Sequence, residues 1–372
     1  MTKTLVKAPF KADHVGSLLR PDNLHQARKD AKEGKITPAE LREIETEEIK
    51  RIVDKQIEVG LEAVTDGEFR RTWWHLDFLE GLNGIEGYET EKGYQFADTE
   101  TERYHVRNTG KISFNPDHPF IKDFIEFKEI VGDRAIPKQT IPSPNQLFEA
   151  GIRNPEIYPD LEDYANDIIQ TYRDAVKAFY DAGVRYLQLD DVYIAGLSST
   201  DFQLVDSGGY TKKALIELAV RIVNESIADR PDDLFITTHL CRGNYQSTWA
   251  FQGSYAEIAS TLFAKEKVDG FFLEYDDERS GSFEPLKHVP KDGAQVVIGA
   301  VTSKFGELED KEVIKNKIQE ASKYVPLEQI ALSPQCGFAS THHGNKLTEE
   351  EQWEKLSYIV DLAKEIWGTV KA

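Results

Sequence analysis

Short apolar runs recur along the chain, and longer amphipathic stretches follow several of them. A run such as residues 295–301 is apolar almost throughout, as expected of a parallel strand covered on both faces. Eight runs are predicted strands, namely residues 13–16, 63–66, 135–141, 186–190, 234–238, 270–275, 295–301 and 329–333. Apolar residues at helical spacing predict helices over residues 161–182, 212–228, 310–324 and 348–367.

The alternation of strand and helix predicts an α/β fold, a single (β/α)8 TIM barrel. An open, doubly wound sheet is the alternative architecture. Residues 84–119 are polar and irregular, and we interpret residues 88–114 as a hairpin insertion that covers one end of the barrel. The sequence has no internal repeat and no flexible linker, so residues 1–372 are predicted to form one catalytic domain.

Polar side chains that could catalyse a reaction or bind a metal lie at the ends of the predicted strands. In a barrel these ends meet on one face, which is where active sites are built. The residues concerned are His14, Ser17, Asp66, Glu68, Asp190, Asp191, His239, Cys241, Glu274, Lys304 and Cys336.

Three of these residue types suit zinc. His239 and Cys241 are two positions apart, so in an extended segment both side chains point to one side. Cys336 follows the last predicted strand, and Glu274 ends the sixth and supplies a possible fourth ligand. Imidazole, thiolate and carboxylate form a coherent tetrahedral set for Zn²⁺, and such a metal would activate a thiol. The alternative is a buried cysteine beside a hydrogen-bonded histidine.

Composition narrows the class of protein. A net charge of −20 argues against a general nucleic-acid binder, because a phosphate backbone would be repelled. Two cysteines in 372 residues do not make a secreted disulfide framework. The chain shows no signal peptide and no apolar run of about 18 residues that would span a membrane. These features predict a cytoplasmic protein that does not bind membranes.

The motifs resemble the catalytic barrel of cobalamin-independent methionine synthase. The resemblance runs from His14-Val15-Gly16-Ser17 to Cys336-Gly337 and covers nearly the whole chain. That family binds zinc with a His-x-Cys pair, a downstream glutamate and a late Cys-Gly. The resemblance therefore implies a zinc ion held by His239, Cys241, Glu274 and Cys336.

The resemblance also implies a pocket for an amino-acid substrate. Glu68, in the segment 66–71, and Asp190, in the segment 187–191, match the two acids that hold the substrate amino group. Ser17 matches the serine that meets its carboxylate. Two carboxylates are a suitable cage for an ammonium group, although an acid at a strand end can equally be solvated or salt-bridged.

Further residues are candidates for binding the second substrate or moving a proton. Trp73 could stack on a flat pterin and Arg70 could meet its glutamate tail, although Trp73 could instead pack the insertion onto the barrel. Tyr193 is expected to line the same pocket. The family places a histidine after the seventh strand, and Lys304 stands in that stretch as the candidate proton donor. His342-His343 resembles a small metal-binding tract.

The expected function is zinc-dependent transfer of a methyl group from methyltetrahydrofolate to the thiol of homocysteine, giving methionine. One alternative keeps the zinc and changes the partners: another small thiol, or a methyl group from a corrinoid protein or a sulfonium. A second alternative is a zinc-binding barrel without catalysis.

Overall fold

A computed structural model describes residues 7–199, 202, 204 and 207–372. Seven of the strands in this part of the chain form a curled parallel sheet in the order β1-β4-β5-β6-β7-β8-β9, and the other two pair separately. The strands are β1 (Ala63–Val64), β2 (Asn83–Glu89), β3 (Tyr104–Ser113), β4 (Ile136–Pro142), β5 (Tyr186–Asp191), β6 (Phe235–Leu240), β7 (Gly270–Glu274), β8 (Gln295–Val301) and β9 (Ile330–Pro334).

Helices separate most of the parallel strands in sequence. Those of the described residues are α1 (Asp22–Lys32), α2 (Pro38–Glu58), α3 (Leu76–Glu80), α4 (Pro119–Val131), α5 (Leu161–Ala182), α6 (Tyr193–Leu197), α7 (Lys212–Ser226), α8 (Ala256–Lys265), α9 (Lys311–Ala321) and α10 (Glu349–Trp367). The predicted helix at 161–182 has the observed bounds. Helix α10 begins with a capping box, in which the Thr348 side chain accepts from the Glu351 amide and the Glu351 carboxylate accepts from the Thr348 amide.

The parallel strands are buried on both faces, which confirms the interpretation of the apolar runs. Every residue of β4, β5, β7, β8 and β9 is buried. Helices cover the outer face, and side chains of the strands fill the interior. The barrel-type α/β architecture is therefore as predicted.

The prediction of a regular strand at residues 13–16 is wrong. The chain makes only an isolated bridge there, between Ala12 and Leu332. The carboxylate of Asp13 accepts from the amides of Phe10 and His14, so these amides are not available to a strand ladder, and Gly16 has a φ of 139°. This segment nevertheless fills the gap between the two edge strands. The Asp13 amide donates to the carbonyl of Leu332 in β9, and the Leu18 amide donates to the carbonyl of Gly67 beyond β1.

The predicted hairpin insertion is confirmed. Strands β2 and β3 pair antiparallel, with the register passing through Gly87 and Val106. The loop between them folds back to the carboxyl ends of the parallel strands, where the Ala97 amide donates to the carbonyl of Trp249 at 2.8 Å. The insertion therefore contributes to the same face as the predicted site.

None of the helices in the described part of the chain combines the length and the apolar character needed to cross a lipid bilayer.

Candidate metal centre and substrate cavity

Three potential metal ligands meet at the carboxyl ends of the strands. His239, Cys241 and Cys336 are buried, and one donor atom from each lies within 4.8 Å of the others. The two Sγ atoms are 3.5 Å apart. That separation is far longer than a disulfide bond of about 2.05 Å, and close to the roughly 3.8 Å between two sulfurs on a tetrahedral zinc with 2.3 Å bonds. The residues present therefore fit a zinc ion.

The ring of His239 is oriented by a neighbouring strand. In the β5–β6 register Asp190 is paired with His239, and Nδ1 of the ring lies 3.1 Å from Oδ1 of Asp190. An N–H on Nδ1 donating to this carboxylate would leave Nε2 as the nitrogen that binds a metal after losing its own proton. Histidines that bind metals commonly donate their other ring nitrogen to a carboxylate in this way.

The two thiols and the imidazole shift one another's pKa values. The hydrogen bond with Cys241 holds the pKa of Cys336 well below its ordinary value, with His239 adding to the effect, whereas the bond with Cys336 and burial raise the pKa of Cys241. Burial alone would lower the pKa of His239, but the contacts with Asp190 and Cys336 raise it to about 10. A lowered pKa favours the thiolate at Cys336, which is the form in which a cysteine binds a metal.

Glu274, the predicted fourth ligand, ends β7 next to this group but outside the three-residue cluster. Its Oε1 accepts from the backbone amide of Arg242 at 2.6 Å, and the residue is buried. The Arg242 guanidinium is itself held by Tyr255, Ser280 and the Glu274 carbonyl. Burial raises the pKa of Glu274, while the charge of Lys304 opposes that rise. Its place as a zinc ligand stays a prediction.

A cavity of about 310 Å³ opens over the three donors. It is bordered by strand ends, by the hairpin insertion and by the segment after Cys336. Eight residues singled out from the sequence line it: Ser17, Glu68, Trp73, Asp190, Tyr193, His239, Cys241 and Cys336.

Glu68 presents an unsatisfied oxygen in this cavity. Its Oε1 accepts from the Thr140 hydroxyl at 2.8 Å and lies 3.3 Å from Nη1 of Arg71, but the buried Oε2 has no hydrogen-bond partner. Burial raises the pKa of this carboxyl to about 7. Its φ of 62° is unusual for a residue with a side chain, and such strain concentrates at functional sites. Glu68 is therefore arranged to meet a polar group of a ligand.

Ser17 lies at the junction of the first segment and the segment after β9. Its Oγ accepts from the amide of Ala339 at 3.3 Å, and its carbonyl accepts from the amide of Phe338. The hydroxyl proton of Ser17 therefore remains available for an acceptor in the cavity.

Arg70 and Lys304 do not line the cavity. Arg70 ion-pairs with Asp123 and Glu126 of α4, at 3.3 and 2.9 Å, because its side chain points outward between α2 and α4. The structure does not bring Arg70, a candidate for meeting the glutamate tail of the donor, to the cavity, whereas Nη1 of the neighbouring Arg71 lies 3.3 Å from Oε1 of Glu68. Lys304 is buried, and its Nζ lies 2.6 Å from Oδ2 of Asp276.

Sequence reasoning missed the part of the wall that the insertion supplies. Tyr94, Phe96 and Thr101 of the insertion line the cavity, and Glu149 lines it from outside the insertion. The Tyr94 hydroxyl lies 3.4 Å from Nε2 of His75, and burial raises the pKa of Glu149 to about 7. An aromatic residue in a polar hairpin was the only signal, and it carries no information about where the loop folds.

Known proteins resemble this chain over its whole length. Residues 10–365 match the family model described as the catalytic domain of cobalamin-independent synthase. The uncharacterized protein YxjH of Bacillus subtilis is 50% identical over 362 residues, covering 97% of this chain and 96% of that protein. The methionine synthase of Sulfolobus acidocaldarius is 25% identical, over 87% and 84% of the two chains.

Solved structures agree with the sequence relatives. A putative vitamin-B12 independent methionine synthase from Listeria monocytogenes is 48% identical, with a TM-score of 0.80 over 97% of this chain and 99% of that one. A B12-independent methionine synthase from Shewanella sp. W3-18-1, solved with selenomethionine, has the same fold at 18% identity, with a TM-score of 0.71 over 96% and 98%. The chain therefore belongs to the cobalamin-independent synthase family, whose catalytic domain it spans from residue 10 to residue 365.

Proposed function

We propose that this protein transfers a methyl group from methyltetrahydrofolate to the thiol of homocysteine, with zinc as its cofactor. One observation carries the proposal: His239, Cys241 and Cys336 lie at the base of a cavity that Glu68 and Asp190 also line. Soft metal ligands and paired acids in one cavity match a substrate that carries both a thiol and an ammonium group. Membership of the methionine synthase family supports the same reaction class.

His239, Cys241 and Cys336 would hold the zinc, with Glu274 as the ligand that yields its place. When bound, zinc supplies a site at which the substrate thiol loses its proton near neutral pH. The Glu274 carboxylate accepts from the Arg242 amide at 2.6 Å, and this bond would stabilise the carboxylate away from the metal.

The amino-acid end of the substrate would be held across the cavity. The ammonium group would pair with Glu68 and Asp190, and the free Oε2 of Glu68 would gain the partner it lacks. The Ser17 hydroxyl would donate to the substrate carboxylate. The Shewanella relative was solved with selenomethionine, an amino acid of the shape this arrangement accepts.

The methyl donor would lie against the aromatic wall formed by Trp73, Tyr94 and Phe96. The sulfur–carbon bond forms as the nitrogen–carbon bond of the donor breaks, and the leaving nitrogen takes a proton. Glu149 lines the cavity and has a pKa of about 7, so it carries a transferable proton near neutral pH. The position of Lys304 does not support the donor role expected from the sequence. Its Nζ pairs with Asp276, and its charge opposes the rise that burial causes in the pKa of Glu274.

The test is a methyl-transfer assay on zinc-loaded protein with homocysteine and methyltetrahydrofolate, in the wild type and in Cys336→Ser. Ser340→Ala is the matched control, because Oγ of Ser340 lies near Cys336 at 3.9 Å. We expect methionine from the wild type and the control and none from Cys336→Ser. Transfer from a methyl-corrinoid or a sulfonium but not from the folate would replace the donor in this proposal.

A second measurement separates catalysis from passive zinc binding. The protein loaded with Co²⁺ is titrated with homocysteine and with cysteine, and the thiolate-to-cobalt absorption is recorded. A homocysteine-dependent change supports thiol binding at the metal. A spectrum that no thiol alters would identify a closed, non-catalytic metal site.

A further inference from the structure

A second cluster of potential metal ligands lies at the rim of the cavity, away from the cysteines. It consists of Glu102, from the loop of the hairpin insertion, and the adjacent His342 and His343. The Nε2 atoms of the two rings lie 3.8 and 3.7 Å from the same atom, Oε1 of Glu102. Ligands on a tetrahedral zinc with bonds of about 2.0–2.1 Å are roughly 3.3–3.4 Å apart, so small side-chain movements would complete the site.

One of the rings is also oriented. Nδ1 of His343 lies 3.4 Å from the hydroxyl of Thr341, and the ring packs edge-on against Tyr245. An Nδ1–H donating to Thr341 leaves the lone pair of Nε2 facing Glu102. Such support of a ligand's other ring nitrogen commonly accompanies metal binding.

We propose that Glu102, His342 and His343 form an accessory site for a divalent transition metal such as Zn²⁺, with water completing the coordination. Two imidazoles and one carboxylate suit zinc and its neighbours in the first transition row rather than Mg²⁺ or Ca²⁺. The three side chains are partly exposed, so the site exchanges metal with solvent and binds more weakly than the buried thiolates.

Occupancy of this site joins two parts of the cavity rim. Glu102 follows Thr101 in the insertion, and His342 follows Thr341 in the segment after Cys336; both threonines line the cavity. A metal bound to all three ligands therefore fixes the insertion against the barrel and restricts how far the rim opens. The proposal does not depend on the reaction that the cavity performs.

The test is equilibrium dialysis of the metal-free full chain against Zn²⁺, followed by measurement of bound metal. The wild type is expected to bind two equivalents, one of them weaker. Glu102→Gln and His343→Gln should each weaken the second equivalent by at least about tenfold and keep the first. Exposed Glu91→Gln on the same hairpin and His288→Gln outside the cluster are the matched controls. A single equivalent in the wild type, or a second one that neither variant weakens, overturns the proposal.

Two further readouts locate the metal. In a Co²⁺ titration the first equivalent is expected to produce thiolate-to-cobalt absorption and the second to add none. Loss of metal binding at the cysteine site and loss at the accessory site can therefore be told apart. Trypsin should cut the insertion loop at Lys92 and Arg103 more slowly when the second equivalent is bound, and Glu102→Gln should remove this protection. Equal cleavage rates with and without the second equivalent would contradict the joining of the rim.

Discussion

A Cβ atom placed on Gly337 would lie 1.9 Å from Oγ of Ser17. The segment that carries Cys336 therefore runs against the first segment of the chain with no room for a side chain. This contact sets the position of the proposed ligand Cys336 and of the proposed carboxylate-binding Ser17 together.

Gly337→Ala is expected to lower the free energy of unfolding by about 1–3 kcal/mol, the range for an added methyl group in a packed interior. It should also weaken methionine binding, measured by calorimetry, because Ser17 has to move. Gly110→Ala is the control, since its Cβ would meet its nearest atom at an ordinary 3.6 Å. Adding Ser17→Ala should recover part of the stability lost in Gly337→Ala, and a strictly additive double variant would contradict the contact.

Amino-acid binding is expected to tighten as the pH rises through about 7. Burial raises the pKa of Glu68 to about 7, so below that value the carboxyl is neutral and cannot pair with an ammonium group. The affinity for methionine, measured by calorimetry across this range, should approach a tenfold change per pH unit on the acid side. Glu68→Gln should bind weakly and show a flat profile. A wild type with the same flat profile would exclude Glu68 from this role.

Arg71 and Arg70 are expected to respond differently to the same substitution. Arg71→Lys replaces the guanidinium whose Nη1 lies 3.3 Å from Oε1 of Glu68 with an ammonium group of different shape, so KM for the amino acid should rise about tenfold. Arg70→Lys changes contacts with α2 and α4 outside the cavity lining and should leave KM within about twofold. Steady-state kinetics of both variants decide the matter, and a larger effect at Arg70 would contradict the observed orientations.

Glu266, which no proposed step uses, should make the protein less stable at alkaline pH. Burial raises the pKa of its carboxyl to about 8, above the unfolded value of roughly 4.3. The stability it contributes is present below the unfolded value and is lost as the pH rises through about 8. At pH above this value Glu266→Gln should be more stable than the wild type by about 2–4 kcal/mol, with little difference in acid. Denaturant unfolding at both pH values measures this, and exposed Glu354→Gln should show no such pH dependence.

Removal of the proposed zinc is expected to lower the melting temperature. A ligand at 100 times its Kd stabilises the folded state by about 2.7 kcal/mol, which corresponds to a shift of roughly 3–4 °C for a chain of this size. A chelator should produce this shift in the wild type and none in Cys336→Ser. Equal melting temperatures with and without chelator in the wild type would argue against a tightly bound metal.

The sequence predicted the features that depend on burial and on residue type. Runs such as β8 are apolar because both faces are covered, so their position could be read without tertiary information. His239 and Cys241 were recognisable because their spacing places both on one side of a strand. Residues 13–16 looked like another strand, and nothing in the pattern indicated that the Asp13 side chain would occupy the neighbouring amides.

The remaining errors concern the direction in which a side chain points and the folding of a loop onto a distant part of the chain. Arg70 and Arg71 are adjacent and chemically identical, so only the path of the chain after Glu68 decides which one lies beside the Glu68 carboxylate. Tyr94 and Phe96 reach the cavity because a loop folds back onto the barrel, which local sequence does not encode. The single-domain organisation over residues 1–372 and the cytoplasmic location stay predictions.

The proposed metal ligands and the aromatic wall of the cavity come from different parts of the fold. Cys241 and Cys336 stand directly after buried strands, whereas Tyr94 and Phe96 belong to an inserted hairpin joined to the barrel at its rim. Mutations in the hairpin can therefore reshape the compartment for the methyl donor without disturbing the metal chemistry beneath it. Relatives that share the strand-end residues can diverge in the partner they accept, and the hairpin is the region whose exchange between relatives would reveal such a change in preference.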